Sequence, residues 1–358
     1  MSAGPFASIP SRGILAALAA ALLFGAGTPL AKSLLAHASP WLLAALLYLG
    51  SGLGLALLRA VRRRPRVRLA AAEWRWFAGA IAAGGVAGPV LLMQGLALTP
   101  ASSASLLLNA EGVLTALIAW IVFRENVDRR IAAGMACIVA GGVVLAWPGE
   151  MSWTGWLGPV LVVGACAAWA VDNNLTRKVS LADASWIAMV KGLAAGTTNL
   201  VIALLLGAQW PDAKVIAGAA IVGFASYGAS LALFVVGLRE LGTARTGAYF
   251  SVAPFFGAVI AVLWLGEPMT FVLGAAFALM AVGVVLHLAE RHDHAHRHVA
   301  MDHAHSHVHG ADDPHHDHAH VPPVAPGTRH SHPHHHVPLV HTHPHFPDAH
   351  HRHGHDHG

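Results

Sequence analysis

The sequence predicts an all-α polytopic membrane protein, with ten transmembrane helices arranged as two inverted five-helix repeats. Three observations carry that expectation. The first 291 residues are about 62% hydrophobic, and only 11% of the whole chain is charged, whereas soluble domains carry about a quarter charged residues. Ten stretches approach the ~20 apolar residues that a ~30 Å hydrocarbon core requires. The second five stretches repeat the first five.

The spans follow in order. Arg12 precedes the first, 13–35, which could be mistaken for a secretory signal ending at Ala36-His37-Ala38. That site lies beyond a typical signal core and equally apolar segments follow, so it reads as a helix. The second, 40–60, runs into the basic segment Arg59–Arg68, and the third, 75–97, leaves it. The fourth and fifth, 101–123 and 130–148, flank Arg124, Arg129 and Arg130. The second half places spans at 155–175, 185–206, 215–238, 244–265 and 269–289. Backbone groups in lipid must be satisfied within the segment, so continuous spans of this length are helices. Connections of a few residues leave no room for a soluble domain between them.

Orientation follows from Lys and Arg. With the N-terminus (1–12) cytoplasmic, sixteen basic residues fall on inside segments, against Lys32 and Lys214 outside. The expected location is the plasma (inner) membrane, multi-pass, with both termini cytoplasmic. The pI of about 9.4 therefore reflects arginines between spans rather than a nucleic-acid surface. Cys137 and Cys166 lie in apolar stretches, which excludes a disulfide framework or a CxxC site. GxxxG spacings at Gly50/Gly54, Gly84/Gly88 and Gly192/Gly196 predict close helix contacts, either static or sliding.

The repeat is visible in the residues. Leu106–Glu125 aligns with Ala248–Glu267 at a shift of 142, and AGGVVL at 140–145 meets AVGVVL at 281–286 with one residue dropped. Five helices per repeat, an odd number, turn the second half (153–289) upside down relative to the first (13–148). Inverted repeats around a midplane site are an architecture of secondary transporters. On these residues, Ala119 to Glu125 and the Gly-rich helix after them, with Ala253-Pro254-Phe255 through Gly266-Glu267-Pro268, Gly274 and Gly283, the chain resembles the EamA-type proteins of the drug/metabolite transporter superfamily. The resemblance covers 13–289 and implies ten helices, cytoplasmic termini and transport of small polar solutes, often outward. The chain departs from the family by carrying Glu111-Gly112 where a proline matching Pro254 is usual.

Charged side chains within a bilayer each require an explanation. Glu111 lies near the middle of the fourth span; a carboxylate there is a candidate proton carrier or substrate ligand, because taking up a proton removes a buried charge. Asn109, Ser105 and Ser102 form a separate stripe facing nearly the other way. Asp172-Asn173-Asn174 close the sixth helix, and Lys191 enters the seventh from the same side at matching depth, so an Asp172–Lys191 ion pair is expected. That pair reads equally as structure or as transport site. Asn199 and Tyr227, mid-helix, complete the substrate and proton-coupling candidates. Glu125 and Glu267 sit at helix ends and read as interfacial.

From 292 to 358 the composition changes: 25 of the 27 histidines and 8 prolines fall there, with only 16 hydrophobic residues. Such a segment cannot form a core and is expected to be disordered without ligand. The candidate metal ligands are His292, His294, His296, His298, His303, His305, His307, His309, His315, His316, His318, His320, His334, His335 and His336. Neutral imidazole suits Zn, Ni, Co or Cu, and titration near pH 6.5 makes a pH sensor the rival reading. No cofactor is required.

HExxH, GxSxG and P-loop sequences are absent from the chain, which argues against an enzyme or a built-in ATP-driven pump. Two function classes stay open: a secondary, proton-coupled exporter of a small metabolite or a divalent metal, and a membrane-embedded metal-binding or sensing protein without transport. The expected partners are the lipid bilayer and a small-molecule or metal-ion substrate, with no nucleic acid; a homodimer stays open.

Overall fold

Without water to bond to, each apolar segment closes its own backbone hydrogen bonds, and the described part of the first of the two units (Met1–Glu290) consists of helices joined by short turns. The computed structural model describes residues 12–64, 67, 69–123, 129–147, 153–179 and 182–288, and 293–298, 301–308, 329–336 and 339–344 of the tail. The chain opens with α1 (Arg12–Leu34) and α2 (Pro40–Val61). Ser39 caps α2 by accepting from the Leu42 amide at 3.4 Å, and Pro40 sits in the first turn, where a missing N–H goes unmissed. Next come α3 (Ala71–Ala80), a π-turn (Ile81–Ala87) and α4 (Gly88–Leu98), which form one span. Then follow α5 (Ala101–Leu107), α6 (Ala110–Phe123) and α7 (Arg129–Ala146).

The second half repeats the order: α8 (Trp153–Thr176) with a 3₁₀ turn (Arg177–Val179), α9 (Ala184–Leu205), α10 (Ala213–Gly223), a second π-turn (Phe224–Ala229), α11 (Ser230–Phe250), α12 (Ala253–Leu265) and α13 (Phe271–Leu288). Seven helices in the described residues are long and apolar enough to cross a membrane; the apolar stretches Ala132–Ala146, Ala253–Leu265 and Phe271–Leu286 are shorter.

Two expectations need correction. The ninth predicted span, 244–265, is divided: α11 continues to Phe250, and α12 begins only at Ala253. Pro254, in the first turn of α12, has no N–H to continue the preceding helix. The repeat needs no dropped residue: α3 and α10 begin at Ala71 and Ala213, α6 and α12 end at Phe123 and Leu265, and α7 and α13 span Arg129–Ala146 and Phe271–Leu288, each 142 apart. Asp172, Asn173 and Asn174 lie in the last turns of α8, which ends at Thr176.

The halves interlock. α1 packs on α11 and α12, while its repeat mate α8 packs on α4 and α6; α2 crosses its mate α9, and α7 crosses α13. Small residues make the α2–α9 crossing. A Cβ on Gly192 would lie 2.9 Å from the Cα of Gly52, and one on Gly52 would lie 2.6 Å from the Leu193 nitrogen. The Gly192/Gly196 spacing therefore serves close helix packing here. Leu42, Leu43, Leu47, Leu92, Met93 and Val162 fill the core around it.

In the second unit (Arg291–Gly358) the sequence leads one to expect no fold, yet four segments are extended. β1 (Asp293–His298) pairs antiparallel with β4 (Leu339–Pro344), and β2 (Met301–Val308) with β3 (Arg329–His336). The His-x-His alternation has the period of a pleated strand, and backbone register sets His305 opposite His332 and His307 opposite His330. His292, His309, His315, His316, His318 and His320 lie outside the described residues.

Candidate functional site

The first π-turn organises the polar interior. A π-turn leaves carbonyls without their α-helical partners and is frequent at functional sites. Pro89, just after it, cannot donate to Gly85; the second π-turn has Leu231 at the equivalent place and forms all the same. The Gly84 carbonyl accepts from the Tyr48 hydroxyl at 3.0 Å and the Trp169 indole at 2.9 Å. Asn199, fully buried on α9, donates to the Gly85 and Val86 carbonyls at 3.4 Å each.

Asp172 presses against this turn. It is only 5% exposed, and a Cβ on Gly84 would lie 2.0 Å from its Oδ2. Lys191 donates to both carboxylate oxygens at 2.7 Å, and the Thr176 hydroxyl donates to Oδ1 at 2.8 Å. A pair so enclosed is held by geometry and hydrogen bonds, since desolvation opposes burying either charge alone.

Glu111 lies within electrostatic reach of this pair. Its Oε1 accepts from Asn173 Nδ2 at 2.9 Å, and Asn173 also reaches the Thr115 hydroxyl at 3.4 Å. Asn174 donates to the Ala170 carbonyl at 2.8 Å. Consecutive asparagines thus tie α8 to α6 and to its own preceding turn. Tyr227, on the second π-turn, has its ring 5.6 Å from Tyr48 and 5.9 Å from Phe24.

Of the residues singled out from sequence, the structure gathers Glu111, Asp172, Lys191, Asn199 and Tyr227 around the first π-turn and its partners. Asn109 stands apart. It sits at the break between α5 and α6, donating to the Leu106 carbonyl at 2.9 Å beside Met280. The sequence reading missed Tyr48, Trp169 and Thr115. Tyr48 was the most accessible of these, being one of only three tyrosines in the chain and lying in mid-span.

Polar clusters close both ends of the bundle. At one, Lys32 donates to the Leu96 and Thr99 carbonyls at 2.6 and 3.1 Å, while Glu267 accepts from the Ala101 and Ser102 amides at 2.6 and 2.8 Å. A cation on a helix C-terminus and an anion on the next N-terminus each match the local dipole. Glu267 is therefore a cap supplied by the other repeat; Glu125 lies outside the described residues. At the opposite end, Arg59 binds Asp183 at 2.6 Å and Ser185. Burial pushes the Asp183 carboxyl up, but hydrogen bonds from Ser185 and the Trp186 amide, with the Arg59 charge, outweigh it and hold the group below the usual range.

No group of three or more His, Cys, Asp or Glu that could hold a metal occurs among the described residues. What the interior offers is a buried ion pair, a hydrogen-bonded carboxylate and two tyrosines between inverted halves. Residues 11–147 and 156–289 each match the family described as EamA-like transporter family. The chain belongs to that family. This EamA-family chain is accordingly a multi-pass membrane transporter. It is 28% identical over 292 residues to an uncharacterized transporter of Methanothermobacter thermautotrophicus (strain Delta H), covering 76% of this chain and 85% of that one. A protein of solved crystal structure shares the fold with a TM-score of 0.58 at 19% identity, over 78% of this chain and 96% of its own.

Proposed function

We propose that this EamA-family protein is a proton-coupled secondary transporter that exports a small polar metabolite across the plasma membrane. Ten spans form its inverted repeats, and both termini are cytoplasmic. The observation that carries the reading is the placement of Glu111, hydrogen-bonded to Asn173, within reach of the enclosed Asp172–Lys191 pair. A carboxylate that can exchange its proton beside a fixed ion pair allows the charge of the site to follow solute occupancy. A divalent metal is the second cargo considered, and the histidine tail is what favours it.

Glu111→Gln tests the coupling. The variant keeps the shape and the Asn173 contact but cannot release a proton. It should insert and purify like the parent, while proton movement in proteoliposomes loaded with a pH dye falls at least tenfold. Parental proton flux from that variant would reduce Glu111 to a packing residue.

The tail is proposed to bind Zn, Ni, Co or Cu and to be separable from transport. A chain ending at Arg291 should fold and keep basal transport, while the 292–358 peptide binds several Zn or Ni ions in calorimetry. Its affinity should fall below about pH 6 as the imidazoles protonate. If cellular Zn, Ni and Co tolerance is identical with and without the tail, metal as cargo loses its support and the metabolite reading stands alone.

A further inference from the structure

The corner between α2 and α3 carries charge that the transport site does not use. Arg62, Arg63 and Arg64 follow the last turn of α2, all exposed, and Arg75 is exposed in α3. The sequence adds Arg66 and Arg68 to the same connection. Three described carboxylates of this end are engaged elsewhere: Asp183 holds Arg59, Glu240 lies 3.7 Å from Arg12, and Glu73 accepts from the Ala70 amide at 2.7 Å.

A basic corner alone would satisfy the rule that sets topology, but two further features exceed it. Arg63 is the only non-glycine in the described residues with positive φ, at 46°. It occupies the position just past a helix C-cap, where glycine adopts the left-handed conformation freely. The same chain uses that solution in the repeat mate: Gly207, just past the C-cap of α9, has φ 78°. At α2 a side chain is kept where its own mate does without one, and that side chain is cationic.

The second feature is aromatic. Trp74 is 45% exposed, with its ring 5.9 Å from Phe77 and 6.3 Å from Trp186, and the Arg75 guanidinium lies 4.9 Å over the Trp76 ring. Tryptophan prefers the headgroup level of a bilayer, and Trp186, against Trp74, lies three residues from the Asp183 that holds Arg59 in the last turn of α2, so this end of α2 meets the level of the lipid phosphates. Guanidinium binds phosphate oxygens in pairs.

We propose that Arg62, Arg63 and Arg64, at the end of α2, form a binding site for the headgroup of an anionic phospholipid. The site does not depend on the transport reading or on which leaflet it faces.

Native mass spectrometry of the full-length protein, offered equal phosphatidylglycerol and phosphatidylcholine, tests it. The parent should retain phosphatidylglycerol preferentially, and each arginine removed should weaken retention about fivefold. Arg63→Gly is the informative single change, because it relieves the backbone and should leave thermal stability equal or higher while retention falls. The triple change of Arg62, Arg63 and Arg64 to Gln should remove the preference. Absence of preference in the parent overturns the proposal without any variant, as does unchanged retention in Arg63→Gly and the triple variant. If millimolar inorganic phosphate displaces the lipid, the corner is a general anion site and the lipid assignment fails.

Discussion

Lys191→Met should yield little folded protein, and adding Asp172→Asn to the same chain should restore most of it. Removing the ammonium alone leaves a buried carboxylate facing the Gly84 turn with only Thr176 to satisfy it. Breaking a buried pair in this way is destabilising by about 3–5 kcal/mol, much of what holds a typical domain together. Neutralising both partners removes the charge penalty and keeps the volume. Fluorescence-detected size exclusion after a heating series measures the effect: the single variant should lose its monodisperse peak well below the parent's temperature. Equal stability of single variant and parent would mean that water reaches Asp172. If the double variant folds and transports, the pair is structural; if it folds and does not transport, the pair belongs to the transport path.

Gly84→Ala should be nearly as damaging, although it adds a single methyl group. The new Cβ would stand 2.0 Å from Asp172 Oδ2 and 2.4 Å from its Cβ, so α8 and the π-turn must separate. Overpacking of this kind is destabilising by about 1–3 kcal/mol, and here it would also disturb the carbonyl that Tyr48 and Trp169 share. Gly112→Ala is the control. Nothing lies within 4 Å of its added Cβ, and alanine favours a helix interior over glycine by ~1 kcal/mol, so that variant should match or exceed the parent. Equal melting of the two alanine variants would show that the turn yields, and would remove the steric basis of the site.

Much of the membrane unit was legible in the sequence because its determinants are local. Run length set the spans, and arginines bounded them. The alignment of residues 106–125 with 248–267 contained the register that α6 and α12, and α7 and α13, keep. Asp172 and Lys191 could be matched because both enter from one end at similar depth. The π-turns had no such signal. Gly84-Gly85 and Ser226-Tyr227 read like other helical residues, and the extra residue is set by neighbours on α2, α8 and α9. Tyr48 and Trp169 were missed for that reason: what they donate to, a carbonyl released by a π-turn, does not exist until the turn forms. The break before Pro254 was misplaced because the apolar run passes through it undisturbed. Extended pairing in the tail was missed because composition alone weighed against any fold.

The two π-turns end at Ala87 and Ala229, at the same place in each half. The residues around them do not share that likeness: Asp172, Lys191 and Asn199 correspond to Leu30, Leu47 and Leu55, and Glu111 to Ala253. The bulge is thus common to both halves, although the side chains around it differ. The chemistry is instead divided between the halves. The first supplies Glu111, Tyr48 and the π-turn they surround, the second supplies Asp172, Lys191 and Asn199, and each of the charged positions has an apolar counterpart in its repeat mate.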